Sequence, residues 1–420
     1  MDKARETALK ILYDIEKNKS YSNIAVKNML KNINLSDTDR HFVTSLVYGV
    51  IDKRLTLDYV ISSYSKLKLK KISLYILLIL RMGIYQIMFM DKIPDNAAVD
   101  EAVKLAKRYG HSASSGFVNG ILRNVIRNGI TYPEDKREYL SVKYSYPLWL
   151  TDMWINDFGY EFCEQLMIAF SENARLTLRA NALKTTVKDL AKELNVEIYD
   201  MDDIAVECEG FEISNNKLYN EGYFSVQDKA AQAVSKILEP REGDIVIDMC
   251  AAPGGKTTHI AEIMGNKGEI FAFDKYSHKT DLIDKNAKRL GIDIIKTNVC
   301  DATKLNDDLV GVADRVLCDV PCSGLGIIKR KPEIKWKDEE DFSELYKIQA
   351  QILKNGAQYL KENGIIVYST CTVNPRENGA ITEAFLNTNP CFKKVYEKTY
   401  YPHTDKTDGF YVCKMQRCHR

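Results

Sequence analysis

Residues 243–274, GDIVIDMCAAPGGKTTHIAEIMGNKGEIFAFD, decide the fold class. The apolar run "DIVIDMC" enters a turn of small residues, "KTTHIAEIM" follows with helical spacing, and "EIFAFD" reads as a second strand. Strand, tight turn, helix and strand make one right-handed crossover unit. The pattern recurs in "IDIIKTN", "DRVLCDV" and "GIIVYST", with the helical candidates "KTDLIDKNAKRLG" and "DFSELYKIQAQILKNGAQYLKENG" between them. The expectation is a C-terminal α/β Rossmann-like domain over residues 236–420, with a doubly wound, largely parallel sheet.

The turn Cys250-Ala251-Ala252-Pro253-Gly254-Gly255-Lys256 invites a nucleotide-triphosphate reading through its Gly-Gly-Lys-Thr. That motif needs a glycine six residues before the lysine, and position 250 is cysteine, so an NTPase is excluded. The dinucleotide fingerprint is also absent. What remains is a turn that lets a ligand approach the backbone closely. Asp274 ends the second strand and can accept from both ribose hydroxyls; Asp301 follows the third strand, placed to meet an adenine ring; Asp319 ends the fourth. Singly, each could be a helix cap or a surface turn. Together they fit an adenosine cofactor with no pyrophosphate to cradle, so S-adenosyl-L-methionine fits better than NAD.

Cys322, in Asp319-Val320-Pro321-Cys322-Ser323-Gly324, and Cys371, in Tyr368-Ser369-Thr370-Cys371-Thr372, each follow an apolar strand. Open α/β sheets place ligands at such carboxyl ends. C5 of a cytosine is a poor nucleophile until a thiolate adds at C6, so two cysteines there suit base methylation. Asp319 can read the Watson–Crick edge. A lone cysteine is more often structural, and from the residues alone either one could be the nucleophile. Lys329-Arg330-Lys331 and Lys335-Trp336-Lys337 follow the Cys322 loop and suit a phosphate backbone and a stacked base, with a solvated charge run as the bland alternative.

Residues 1–135 read as helix after helix. Ser36-Asp37-Thr38-Asp39 is a helix start, Pro94-Asp95-Asn96 another, and Ile72–Met90, interrupted by Arg81, Gly83 and Gln86, is a buried helix rather than a membrane span. Residues 1–150 carry 24 Lys and Arg against 15 Asp and Glu, a net +9, while the remainder carries 35 against 43, a net −8. A basic first third on a nearly neutral chain suits a polyanion such as RNA. Tyr132-Pro133 and Tyr146-Pro147 punctuate a linker, and residues 145–235 mix helical and strand patterns into a small α+β domain. Ten cysteines on a chain with a polar start suggest reduced thiols in a cytoplasmic protein. His403, Cys413, Cys418 and His419 fit no metal-ligand spacing, so no metal is expected.

The segments "DMCAAPGGKTTHIAE", "DVPCSGLG", "KPEIKW", "YSTCTVNPREN" and "DGFYVCK" resemble the signatures of RNA cytosine-C5 methyltransferases of the Sun/Fmu/NOP type. "LRMGIYQIMFMDKIPDNAAVDEAVKLAKRYG" and "GFVNGILRNVIR" resemble a NusB-like RNA-binding domain, while "YSYPLWLTDMW", "LTLRANALKT" and "GYFSVQD" resemble the linker domain of the RsmB (Sun/Fmu) family. The resemblance implies methylation of C5 of a cytosine in 16S rRNA, by analogy cytosine 967; the RNA is expected to be met before the ribosome is fully assembled, and nothing in the sequence demands a dimer, so a monomer is expected. It implies Cys371 as nucleophile, Cys322 as the group that aids release of the product, Asp319 in base recognition and Lys256 in the base pocket. The turn from Cys250 to Lys256, with Asp274, Asp301 and Asp319, would hold S-adenosyl-L-methionine. Gly379 departs from an expected acidic residue, and Lys329-Arg330-Lys331-Pro332 from the usual Arg-Arg-His-Pro. The alternatives are a tRNA-directed enzyme of the same chemistry and a non-catalytic NusB-like RNA-binding factor.

Overall fold

The computed structural model describes residues 2–18, 20, 22–172, 175–194, 198–201, 205–208, 213–337 and 342–418. The chain forms two compact units, Met1–Ser171 with Lys331–Lys337, and Glu172–Arg330 with Asp338–Arg420.

The first unit is helical. Ser36 caps the helix Asp37–Asp52 by accepting from the Asp39 amide at 3.1 Å, which satisfies one of the first-turn donors. The apolar run becomes the helix Leu74–Phe89, apolar on nearly every side and packed among its neighbours. Its buried Arg81 forks onto Asp58 at 2.7 Å and reaches Glu16 at 3.0 Å, so its charge is satisfied rather than stranded. The helices Lys136–Tyr144, Leu148–Phe158 and Tyr160–Ser171 also belong to this compact unit. Tyr146 there is fully buried against Trp154, with ring centroids 5.3 Å apart.

Residues 331–337 correct the sequence reading. Lys335 and Trp336 are neither a phosphate contact nor a solvated run. Lys335 is 0% exposed, bonds the Asp52 carboxylate at 2.6 Å and the Asp52 carbonyl at 3.1 Å, and lies over the Tyr146 ring at 4.2 Å. Burial pushes its pKa down to about 8 against the pull of Asp52. Trp336 donates its indole N–H to the Ile51 carbonyl at 3.1 Å, and Arg54 stacks on its ring at 5.3 Å. An alternation of lysine and tryptophan carries no signal separating this buried plug from an exposed basic strip.

The second unit holds two sheets. The smaller contains β1 Leu176–Ala180, β2 Ile198–Met201, β3 Ala205–Cys208 and β4 Phe224–Val226, antiparallel in the order β2-β3-β1-β4, with the helix Val187–Leu194 against it. The larger contains β5 Ile245–Asp248, β6 Glu269–Asp274, β7 Ile295–Val299, β8 Ala313–Asp319, β9 Leu360–Thr370, β10 Phe392–Tyr400 and β11 Phe410–Arg417, in the order β10-β11-β9-β8-β5-β6-β7. β5 to β9 pair in parallel, as expected; β11 runs antiparallel to β9 and β10. Two apolar clusters bury the two faces of the sheet. The chain winds outward from β5 to β7, then returns to β8 beside β5, so a switch-point crevice opens at the carboxyl ends of β5 and β8. The helix expected to run to Gly364 stops at Tyr359, and β9 begins at Leu360 with Asn363 left-handed at φ 61°. The edge strand β10 is largely solvent-exposed and charged, which hides its pairing from an apolar-periodicity reading.

The three tryptophans, Trp149, Trp154 and Trp336, all lie in the helical unit, so tryptophan fluorescence reports its unfolding selectively. Lys335→Ala leaves Asp52 without its main partner and should destabilise this unit by about 3 kcal/mol, measured by urea unfolding.

Candidate active site

The turn from Cys250 to Gly255 is pinned at the carboxyl edge by its own backbone. Met249 donates to the Leu317 carbonyl at 2.9 Å and Ala251 to the Phe273 carbonyl at 2.7 Å, so the turn is tied to β8 and to β6. Gly254 sits at φ 100°, and a Cβ there would lie 3.2 Å from the Ile283 backbone, so this position requires glycine. The helix Gly255–Ile263 begins at once and turns Lys256 and Thr257 back toward the strand ends. Thr257 donates to Asp248 at 2.7 Å. Asp248, which the sequence reading passed over, is 1% exposed; burial pushes its pKa up to about 7, with the nearby Asp319 charge adding to the effect and Thr257 opposing it. Burial, with Cys318, Asp248, Asp319 and Asp274 around it, holds the Cys250 thiol far above its ordinary pKa, so Cys250 serves the turn as a packed neutral side chain.

A second unforeseen residue braces this turn from beneath. Arg179, on β1, is 1% exposed. It forks onto Glu262 at 2.7 and 3.2 Å, donates to the Gly255 carbonyl at 2.8 Å and bonds Gln227. The small sheet is thereby bolted to the helix Gly255–Ile263. The signal was the arginine amid the apolar alternation of "LTLRAN", where a buried charge demands a partner.

Asp274 uses Oδ1 to accept from the Tyr276 amide at 3.1 Å, whereas Oδ2 takes no hydrogen bond from a described residue. Asp301 behaves as a loop cap: Oδ1 accepts from the Thr303 hydroxyl at 2.7 Å and amide at 3.1 Å, and Oδ2 lies 3.2 Å from Lys275. These bonds, the Thr303 hydroxyl foremost, hold its pKa below the ordinary value.

The other residues singled out converge. β8 and β9 pair Asp319 with Ser369, and the Ser369 hydroxyl donates to Asp319 Oδ1 at 2.8 Å. Lys256 Nζ bonds Asp319 Oδ2 at 2.7 Å and lies over the Phe410 ring at 5.0 Å. Burial opposes the Lys256 charge, but Asp319 outweighs it and raises its pKa, so the two stand as an ion pair. Cys322 and Cys371 meet with sulfurs 3.3 Å apart, and none of the chain's cysteines is disulfide-bonded. The contact with Cys371 and burial both hold the Cys322 proton, placing its pKa well above the ordinary thiol value. Gly326 donates to the Cys371 carbonyl at 3.0 Å and accepts from the Gly409 amide at 2.8 Å; a Cβ on it would collide with the Gly409 carbonyl at 1.8 Å. Arg330 is drawn into pairs with Asp408 at 2.6 Å and Asp228 at 3.3 Å. Among the described residues no group of three or more His, Cys, Asp or Glu could hold a metal ion, and no helix is long and apolar enough to cross a membrane. His419 lies outside the described residues.

Comparison with known proteins follows this geometry. Residues 235–416 match the 16S rRNA methyltransferase RsmB/F family, residues 2–127 the NusB family, and residues 146–216 the ferredoxin-like domain of RsmF/B-like methyltransferases. The chain is 36% identical to the probable ribosomal RNA small subunit methyltransferase B of Bacillus subtilis, covering 98% of each. The chain belongs to the RsmB/Sun family of small-subunit rRNA methyltransferases. The corresponding protein of Synechocystis is 35% identical over 99% of this chain and 100% of its own. Among solved structures, the protein designated PH0851 superposes with a TM-score of 0.83 at 26% identity, covering 98% of each chain. A methyltransferase homolog of Pyrococcus horikoshii aligns with a TM-score of 0.60 at 25% identity, over 68% of this chain and 99% of its own. The methyl donor of this fold and family is S-adenosyl-L-methionine.

The pKa of Asp248 rises on folding from 3.8 to about 7. The folded state therefore keeps a proton that the unfolded chain has released, and stability present below the lower value is lost as pH rises through the upper one. In the cofactor-free protein, Asp248→Asn should melt higher than the parent at about pH 8 and alike at about pH 4, a difference that calorimetry across pH checks.

Proposed function

We propose that this chain methylates C5 of a cytosine in 16S rRNA, by family analogy cytosine 967, through a covalent adduct between Cys371 and C6. The observation that carries this reading is the 3.3 Å contact of the two cysteine sulfurs beside the Lys256–Asp319 pair. A non-catalytic RNA-binding factor has no use for that constellation.

The roles follow from the charges. Asp319, paired with Lys256, accepts from the exocyclic amino group of the base, and the Lys256 ammonium faces the same edge. The Cys371 thiolate attacks C6, and the displaced electron pair makes C5 nucleophilic. Bound S-adenosyl-L-methionine supplies the electrophilic methyl group that C5 takes up. A base then removes the C5 proton, the C5–C6 double bond re-forms, and Cys371 leaves as thiolate. Cys322, which retains its proton beside Cys371, assists that release. The backbone of Cys250–Gly255 with Lys256, and Asp274, Asp301 and Asp319, hold the cofactor; Asp274 Oδ2 suits a ribose hydroxyl, while Asp301, engaged as a cap, reaches the adenine side only through its loop.

The helical unit carries a surface suited to the RNA. Residues 59–90 contain no Asp or Glu. Lys66, Lys68 and Lys70 are exposed and line a cleft of about 460 Å³ with Ser62 and Ser65, and Lys71 is exposed beside them. None of the four lysines pairs with a described acidic residue. Phosphate oxygens would complete this site.

Cys371→Ser should abolish methyl transfer to unmodified small-subunit rRNA, whereas Cys322→Ser should accumulate a protein–RNA adduct that survives denaturing electrophoresis. Full activity of Cys371→Ser would refute the mechanism, and transfer to tRNA in place of rRNA would refute the substrate. Replacing Lys66, Lys68, Lys70 and Lys71 by alanine should flatten the slope of log affinity against log salt by about 3, read by fluorescence anisotropy with an rRNA fragment.

A further inference from the structure

We propose that Glu377 is the positioning residue that holds the Cys322 and Cys371 loops in register, and that it does so as a carboxylate bonded to both. This rests on the two-cysteine reading given above and assigns a residue that reading does not use.

Glu377 is 0% exposed. Its Oε2 accepts from the Ser323 amide at 2.8 Å and from Gln349 Nε2 at 2.9 Å; its Oε1 accepts from the Ser323 hydroxyl and from Asn374 Nδ2 at 3.1 Å. Ser323 directly follows Cys322, and Asn374 lies three residues after Cys371. One carboxylate thus takes bonds from both loops, and all four donors are neutral. Gln349 extends the hold by donating to the Pro321 carbonyl at 3.0 Å, on the other side of Cys322. The Ser323 and Thr372 hydroxyls meet at 2.9 Å, each adjacent to one of the cysteines. Tyr368, on β9, donates to the Glu377 carbonyl at 2.6 Å, and Asn378 donates to the Thr372 carbonyl at 3.0 Å while accepting from Thr370.

A buried carboxylate without a cation is costly unless bonded on most of its lone pairs, as this one is. A pure spacer could be built from apolar groups without that cost. What four neutral donors around one anion secure is a geometry that no neutral side chain reproduces, because an amide in its place turns one acceptor into a donor facing donors. The charge also acts on the chemistry: it is among the groups that hold the Cys322 proton, after Cys371 and burial. The titratable groups around that thiol are Cys371, Glu377 and Tyr368, and they lie on the β9 strand and the segment that follows it.

The two readable variants are Glu377→Gln, which keeps the shape and removes the charge, and Glu377→Asp, which keeps the charge and shortens the reach. Both should bind S-adenosyl-L-methionine with unchanged affinity, since Glu377 touches no part of the cofactor turn. Both should lower kcat at least tenfold and accumulate the Cys371–RNA adduct, as Cys322→Ser does. In a Cys371→Ser background, ultraviolet thiolate titration should find Cys322 titrating at lower pH once Glu377→Gln is added, a shift that a merely structural role does not produce. Wild-type turnover by both variants, or loss of cofactor binding together with activity, overturns the proposal. If the unaltered protein forms no adduct and Cys371→Ser stays active, the two-cysteine reading itself fails instead.

Discussion

The parallel pairing of β8 with β9 is the constraint on which the site depends. It sets Asp319 opposite Ser369, so both strands end at the same height, and the loops that leave them carry Cys322 and Cys371 into contact. A register slip of one residue would turn Asp319 away from Ser369 and Lys256, since successive side chains point to opposite faces. The pairing itself is held by apolar burial on both faces of the sheet. The chemistry therefore stands on the core, and the loops above inherit positions decided by Val316, Leu317, Ile366 and Val367.

Around that pair, charge is managed by partners rather than by solvent. Lys256 holds its proton against burial because Asp319 faces it, and the buried Arg179 is matched by Glu262. Glu377 has only neutral donors, and Asp248 little more than a threonine hydroxyl; the raised pKa of Asp248 is the result. Between the two touching cysteines, the contact with Cys371 and burial hold the Cys322 proton.

Much of the architecture was legible. The strand–turn–helix at 245–263, the strands that deliver Asp274, Asp319, Cys322 and Cys371, and the helices that start after Ser36 and Pro94 were marked by period or by their start signals. Less legible were Lys335 and Trp336, whose composition suggested an RNA contact and whose side chains instead fill the helical unit against Asp52 and Ile51. Arg179 and Glu377 were missed for one reason. Their partners Glu262 and Ser323 lie 83 and 54 positions away, and no local pattern reveals such pairs. Asp248 was missed because a strand-ending aspartate looks the same whether solvent or protein surrounds it.

By itself the sequence determined the element types, the place of the small-residue turn after the first strand of the large sheet and the presence of two cysteines at strand ends, because strand period, glycine conformation and helix capping are local properties. Only the tertiary structure decided that the cysteines touch, that Lys256 answers Asp319, and that a lysine–tryptophan strip is core. Those outcomes depend on which strands become neighbours and on what burial does to a charge, and neither is a property of any short stretch of chain.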